Sequence, residues 1–280
     1  MAQPRAHFSD GLAWYESMPA ADASAPSIVF VHGNSASAGT WRHQFDGALA
    51  TRYRLVAIDL PGHGDSARAT HPDIGYALPG YAAALLALVR ELNLDNAVLV
   101  GWSLGGHILL EASAALPEAR GIVIFGTPPI GKPPALHTAF LPHPAMATTF
   151  AGELTDQEIH DHVAAILRPG ATPPPAFIAD MRRTDDRIRT ALATSVAAGN
   201  YADEVAIVAG LRPPLGVLHG REEQLVALDY IRDLPMPSLW RGQVQVIDAA
   251  GHAPHWEAPA AFDALLDAFV RDTRPTVAPS

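Results

Sequence analysis

Short runs of consecutive apolar residues recur along this chain, separated by longer stretches with helical character. Ile28-Val29-Phe30-Val31 and Ala97-Val98-Leu99-Val100 show no polar alternation, so they read as strands buried on both faces, the pattern of a parallel sheet. Strands are expected at 28–32, 54–60, 97–102, 121–126, 214–219 and 243–249, after an N-terminal hairpin of Ala6 to Ser9 and Leu12 to Ser17. Helices are expected between or after them, near 38–50, 79–92, 104–116, 227–234 and 258–272. Such alternation predicts an α/β domain with a mostly parallel central sheet and helices on both faces.

One interval breaks the rhythm. Residues 130–212 are too many for a crossover, carry Pro133, Pro134, Pro173, Pro174 and Pro175, and show helical pieces only around 155–168 and 187–207. A connection of this length is usually functional or disordered. It is expected to form a helical cap inserted into one core made of 1–129 and 213–280.

Gly101-Trp102-Ser103-Leu104-Gly105 lies where a buried strand gives way to a helix. A serine on that sharp turn is held out of the sheet as a nucleophile, and the small residues two places either side let the turn close. The helix that follows aims its N-terminal amides at the place where negative charge would develop. An acid after a later strand and a histidine near the end should then follow in chain order. They do: Pro214 to Gly220 reads as a strand with Glu223 three residues on, and Val244 to Ala250 runs into Gly251-His252-Ala253-Pro254. A serine hydroxyl is a poor nucleophile at neutral pH, so His252 would take its proton and later return it to the leaving alcohol, with Glu223 fixing the tautomer. Glu222 competes with Glu223 for the acid's role.

A tetrahedral oxyanion needs two backbone donors. The amide of Leu104 is one candidate, and Asn34, in the His32-Gly33-Asn34-Ser35 turn after the first parallel strand, is the other. Of the remaining histidines, His32 and His63 sit in strand-end turns and are read as organisers of hydrogen bonds. His107 reads as a packed helix residue, and His255 as a neighbour of the base. His160-Asp161-His162 invites a metal reading, but positions two apart on a helix point about 200° from each other. Neither a metal nor a cofactor is expected. Asp59, before Leu60-Pro61-Gly62, is read as a turn-holding aspartate rather than a functional acid. Trp41 and Trp102 are candidates either for the wall of an acyl pocket or for core packing.

Composition narrows the partners. With 280 residues and 49% hydrophobic positions the chain can fill one large core, and a formal charge of −10 without a lysine–arginine cluster argues against nucleic acid. There is no cysteine, hence no disulfide framework and no thiol nucleophile. Met1 to Asp10 lacks a basic region followed by an apolar one, and no apolar run is long enough to span a bilayer, so a cytoplasmic protein without membrane partners is expected. Oligomeric state is not legible.

Taken together, HGNS at 32, DLPGHG at 59, GWSLGGH at 101, GTPP at 126, GREE at 220 and AGHAP at 250 resemble the α/β-hydrolase superfamily. Within it, GWSLGGHI, GTPP, a glutamate after HGR, and AGHAPHWEAPAAFDALL closely resemble the metal-independent N-acyl-homoserine lactonases. The resemblance implies an α/β-hydrolase fold, Ser103, Glu223 and His252 as triad, Asn34 and Leu104 as oxyanion donors, and a small amphiphilic lactone or ester as substrate. It also implies ring opening of a bacterial signalling lactone through an acyl-serine. A cap tyrosine contributes to substrate contact in that family, and His162 aligns with it here. A general carboxylesterase acting on acyclic esters, or a receptor-like ligand-binding member with little turnover, are the other classes consistent with the same residues.

Overall fold

The computed structural model describes residues 5–19 and 25–273. The expectations that touch Met1 to Pro4 and the C-terminal tail from 274 onward lie outside them. An eight-stranded sheet runs in the order β1-β2-β4-β3-β5-β6-β7-β8. Its members are β1 Arg5–Ser9, β2 Leu12–Ser17, β3 Ser27–Val31, β4 Arg54–Asp59, β5 Val98–Trp102, β6 Gly121–Phe125, β7 Leu215–Gly220 and β8 Gln245–Ile247. The β1–β2 hairpin and the β2–β4 contact are antiparallel, and every pair from β4 through β3 to β8 is parallel. This is the α/β-hydrolase fold.

The apolar runs are continuous because both faces of the central strands are covered. In β3, Ile28 and Phe30 face one core cluster with Val98, Val100 and Phe125, while Val29 and Val31 face a second with Leu99, Ile122 and Ile124. The first face is closed by helix Pro259–Asp272 through Phe262, Leu266 and Phe269, and the second by helices Leu78–Glu91 and Leu104–Ala112. A strand's two-residue period assigns successive side chains to opposite faces, so no residue can be polar at modest cost.

After β3 the chain moves to β4 on one side and then returns to β5 on the other. The carboxyl ends of β3 and β5 therefore flank the point where strand order reverses, which is where open α/β sheets leave a crevice for ligands.

Several expected elements are broken differently. The helix expected over 38–50 is a 3₁₀ turn Ala38–Trp41, a short helix Arg42–Asp46 and a second 3₁₀ turn Leu49–Thr51, interrupted where Gly47 turns extended. The piece expected at 187–207 is two helices, Arg187–Ala197 and Glu204–Gly210. Gly199, at φ 72°, ends the first, and the Asp203 side chain accepts from Ala206 N–H to start the second. The piece at 155–168 is Asp156–Ala165, opened by a reciprocal Thr155–Glu158 cap. Pro175, one of the prolines of the 130–212 interval, occupies the first turn of helix Pro175–Arg183, where its missing N–H leaves nothing unsatisfied.

Candidate active site

Ser103 follows β5 directly and adopts φ 52°, ψ −116°, a conformation that L residues enter only when the surroundings enforce it. Its N–H donates to the Phe125 carbonyl at 2.9 Å, and the Thr127 hydroxyl donates to its carbonyl at 2.8 Å. The flanking glycines are sterically required: a Cβ on Gly101 would lie 2.6 Å from the Gly105 backbone, and one on Gly105 2.2 Å from the Val31 carbonyl oxygen. The turn thus wedges the start of helix Leu104–Ala112 against the ends of β3 and β5.

His252 and Glu223 meet behind it. Carboxylate oxygens only accept, so His252 Nδ1 donates to Glu223 Oε2, at 2.8 Å. Glu223 Oε1 accepts from Leu225 N–H, also at 2.8 Å. The Glu223 side chain is 1% exposed and that of His252 5%. Burial works against the carboxylate's charge, yet the facing His252, their hydrogen bond and the Leu225 N–H hold it below its usual range. Glu222 is exposed, its N–H tied to the Ala250 carbonyl, so of the two neighbours it is Glu223 that faces His252.

The loop carrying His252 is fixed from two sides. Trp102 Nε1 donates to the His252 carbonyl at 2.8 Å, and Glu257 accepts from Gly251 N–H at 2.7 Å. The imidazole lies against Gly126, where a Cβ would come 2.6 Å from its Cε1 and 2.9 Å from its Nε2. Gly126 follows Phe125, the residue that receives the Ser103 N–H, so Ser103 and His252 share one backbone support. The Ser103 hydroxyl makes no hydrogen bond among the described residues; such bonds often tighten only once substrate is bound.

Both oxyanion candidates border the same cavity as Ser103. Neither the Leu104 nor the Asn34 N–H is taken up by a hydrogen bond among the described residues. The Asn34 turn is braced by two histidines. His32 Nδ1 donates to the Gly33 carbonyl and its Nε2 accepts from Leu60 N–H, while His63 Nε2 accepts from Ser35 N–H. Burial pushes His32 down to about 4 and His63 well below its ordinary value, which keeps both neutral and able to accept. Asp59 holds the neighbouring turn through Ala38 N–H at 2.6 Å and Asp65 N–H at 2.8 Å.

Arg189 escaped the sequence reading. Its side chain is 1% exposed and donates to the carbonyls of Ala151 and Gly152, to Asp186 and, at 3.2 Å, to Ser35 Oγ. Ser35 Oγ in turn donates to Asn34 Oδ1, and Asn34 Nδ2 donates to the Thr149 carbonyl. One guanidinium thereby ties the segment around 149–152 to the Asn34 turn. Asp180, on helix Pro175–Arg183, adds a second tie by accepting from Ser37 Oγ at 2.6 Å. Nothing local marks an arginine in an amphipathic helix as buried; only the packing of distant segments does.

Other candidates resolve as core. Trp41 and Trp102 are buried in the cluster with Phe30 and Phe125, not on a pocket wall. His255 is fully buried, bonded to Thr40 Oγ1 and in ring contact with Trp41, and burial holds it well below its ordinary value. His160 is exposed, whereas His162 is buried, shares a 2.7 Å hydrogen bond with Thr148 and is pushed down to about 4 by burial. His162 is not among the residues lining the cavity over Ser103. His107 is more than a packed residue: its Nδ1 donates to both carboxylate oxygens of buried Glu204 at 2.9 Å. No group of three or more His, Asp or Glu among the described residues is placed to hold a metal ion.

Ser103, Asn34 and Leu104 open onto one cavity, walled for the rest mostly by apolar side chains such as Leu78, Ile130, Phe140, Met146 and Leu192, with His107, Thr149, Tyr201 and Glu204 among them. The described helices include none long and apolar enough to cross a membrane. Comparison with known sequences matches the alpha/beta hydrolase family over residues 28–265. This chain belongs to the alpha/beta hydrolase family. As a member of it, the chain is 33% identical to the N-acyl homoserine lactonase AidH, solved in complex with N-butanoyl homoserine, with a TM-score of 0.90 over 100% of this chain and 99% of that one. It is 27% identical over 258 residues to a pimeloyl-[acyl-carrier protein] methyl ester esterase of Xylella fastidiosa (strain M12), covering 88% of this chain and 95% of the relative. It is also 26% identical over 282 residues to the biotin biosynthesis bifunctional protein BioHC of Teredinibacter turnerae, where the match covers 89% of this chain and spans 45% of that longer protein.

Proposed function

We propose that this hydrolase opens the lactone ring of N-acyl homoserine lactones through an acyl-serine. The observation that carries the reading is the whole-length likeness to AidH, whose structure holds an N-acyl homoserine, combined with a buried His252–Glu223 pair behind Ser103. The segment 130–212 acts as the cap of the core formed by 1–129 and 213–280, and supplies much of the apolar wall over the nucleophile.

In this mechanism the Ser103 hydroxyl turns toward His252 Nε2, gives up its proton and attacks the lactone carbonyl. Because Nδ1 donates to Glu223, Nε2 of the neutral ring carries the lone pair that accepts that proton. The Asn34 and Leu104 N–H groups hold the oxyanion, and each such donor is worth roughly 10² to 10³ in rate. As the tetrahedral intermediate collapses, the ring C–O bond breaks and His252 returns its proton to the ring oxygen. An acyl-serine bearing a free hydroxyl remains. Water, deprotonated by His252, then attacks that ester, and the N-acyl homoserine leaves as a carboxylate while Ser103 regains its proton.

The likeness to the methyl ester esterase favours one other reading, hydrolysis of acyclic esters by the same residues. Turnover of N-acyl homoserine lactones of several chain lengths, set against p-nitrophenyl esters in the presence of a chelator, separates the two. Lactones are expected to win by kcat/KM. Ester preference refutes the lactone reading, and ligand binding with negligible hydrolysis of either class indicates a receptor-like member.

A further inference from the structure

The cavity over Ser103 has one polar feature that acyl transfer does not use. His107 lies in the first turn of helix Leu104–Ala112, four residues beyond Ser103, and its N–H donates to the Ser103 carbonyl at 3.3 Å. Both line the cavity. Its ring is pinned by Glu204, which is 0% exposed and also accepts from Ile130 N–H at 2.7 Å. Both Glu204 oxygens are thus engaged, and Nδ1 must carry a proton, because its partners are carboxylate oxygens.

Most polar side chains on this wall are already satisfied. Tyr201 donates to the Gly131 carbonyl, Thr149 to that of Ala145, and Asn34 bonds Ser35 and the Thr149 carbonyl. Among the described residues lining the cavity, two side-chain groups are left without a hydrogen-bond partner: the Ser103 hydroxyl and His107 Nε2. A fixed, unpaired polar atom in an apolar wall favours a ligand that brings a matching group and penalises one that does not.

We propose that His107, held by Glu204, is a specificity-determining residue that selects substrates carrying an oxygen on the acyl chain beyond the amide, a 3-hydroxyl or a 3-keto group. A hydroxyl pairs with either protonation state of Nε2, donating to the neutral ring or accepting from the charged one. A keto oxygen pairs only with the N–H form. The inference rests on Ser103 being the nucleophile of this cavity, not on the leaving group being a lactone.

The test is the ratio of kcat/KM for oxygenated over plain chains, measured on 3-hydroxyoctanoyl-, 3-oxooctanoyl- and octanoyl-homoserine lactone, in wild type and in His107→Leu/Glu204→Gln. The double change removes the imidazole without stranding a buried charge, and the introduced glutamine can still accept from Ile130 N–H. One hydrogen bond in a dry wall corresponds to roughly a tenfold ratio. A fall of fivefold or more for either oxygenated chain supports the proposal, the affected chain telling hydroxyl from keto recognition. A smaller change overturns it, including a uniform loss on all three lactones, which would place His107 against the amide they share. If wild type turns over no lactone, the function proposed above fails, and the same ratio on ethyl 6-hydroxyoctanoate, whose hydroxyl stands as many bonds from the scissile carbonyl as that of the 3-hydroxyacyl lactone, and ethyl octanoate decides the role of His107 separately. Should the double variant not fold, histidine-¹⁵N spectra of wild type decide. The His107 Nε2 signal must shift with 3-hydroxyoctanoate and not with octanoate, and equal responses overturn the assignment.

Discussion

Replacing Glu223 by glutamine tests the chemistry with the least disturbance of shape. The new amide can keep its carbonyl oxygen toward Leu225 N–H, as Glu223 Oε1 does now at 2.8 Å. Its NH₂ then faces His252 Nδ1, where the carboxylate accepts a hydrogen bond of the same length. An NH₂ can only donate, so Nδ1 must become the acceptor and the proton moves to Nε2, which removes the lone pair that would receive the serine proton. The imidazolium formed during attack also loses its counter-charge. Two unit charges about 4 Å apart attract by roughly 4 kcal/mol at an effective dielectric near 20, equivalent to about 10³ in rate. Adding the wrong tautomer, kcat on the preferred substrate should fall by about 10³ to 10⁴, still less than the roughly 10⁶ expected for Ser103→Ala. Stopped-flow and long-incubation assays at pH 7.5, with far-UV circular dichroism to confirm folding, measure this. Glu222→Gln, at an exposed position, should stay within about twofold. A harmless Glu223→Gln beside a crippled Glu222→Gln would overturn the acid's assignment.

Arg189→Met should lower stability by roughly 3 kcal/mol, because the carbonyls of Ala151 and Gly152 and the Ser35 hydroxyl lose a buried donor. Arg189→Lys should recover only part of it, since one ammonium cannot span a fork of partners; full recovery in urea titrations would contradict this. Stability should also fall with acid. His32 and His162, pushed by burial to about 4, and His63 and His255, pushed well below their usual value, are kept neutral when folded but charge near pH 6.5 when unfolded. Their contribution is present above about pH 6.5 and is lost as pH drops through the window toward 4. Asp263, raised by burial to about 6, takes up a proton in the folded state over the same window and partly opposes this loss. Urea midpoints that do not fall between pH 7 and 5 would disprove it.

The order of strands, the turn that carries Ser103 and the candidates Glu223, His252, Asn34 and Leu104 were legible because each is a local pattern. An apolar run, a glycine two residues from a serine, or an acid three residues past a strand-ending glycine is written into consecutive positions. The breaks in the expected helices at 38–50 and 187–207 were less visible, since a helical period continues in sequence past the glycine that ends the helix.

Pairings between segments far apart in the chain come from the folded arrangement and from nothing else. Glu223 rather than Glu222 faces His252, Arg189 rather than a nearer residue braces Asn34, and Glu204 reaches across 97 positions to hold His107. A buried charge is tolerable only where folding delivers its partner, and that partner is selected by three-dimensional packing rather than by spacing along the chain. The order of residues therefore specifies which chemical groups exist and on which local elements they ride, while the packed sheet and the segments over it specify which of those groups meet.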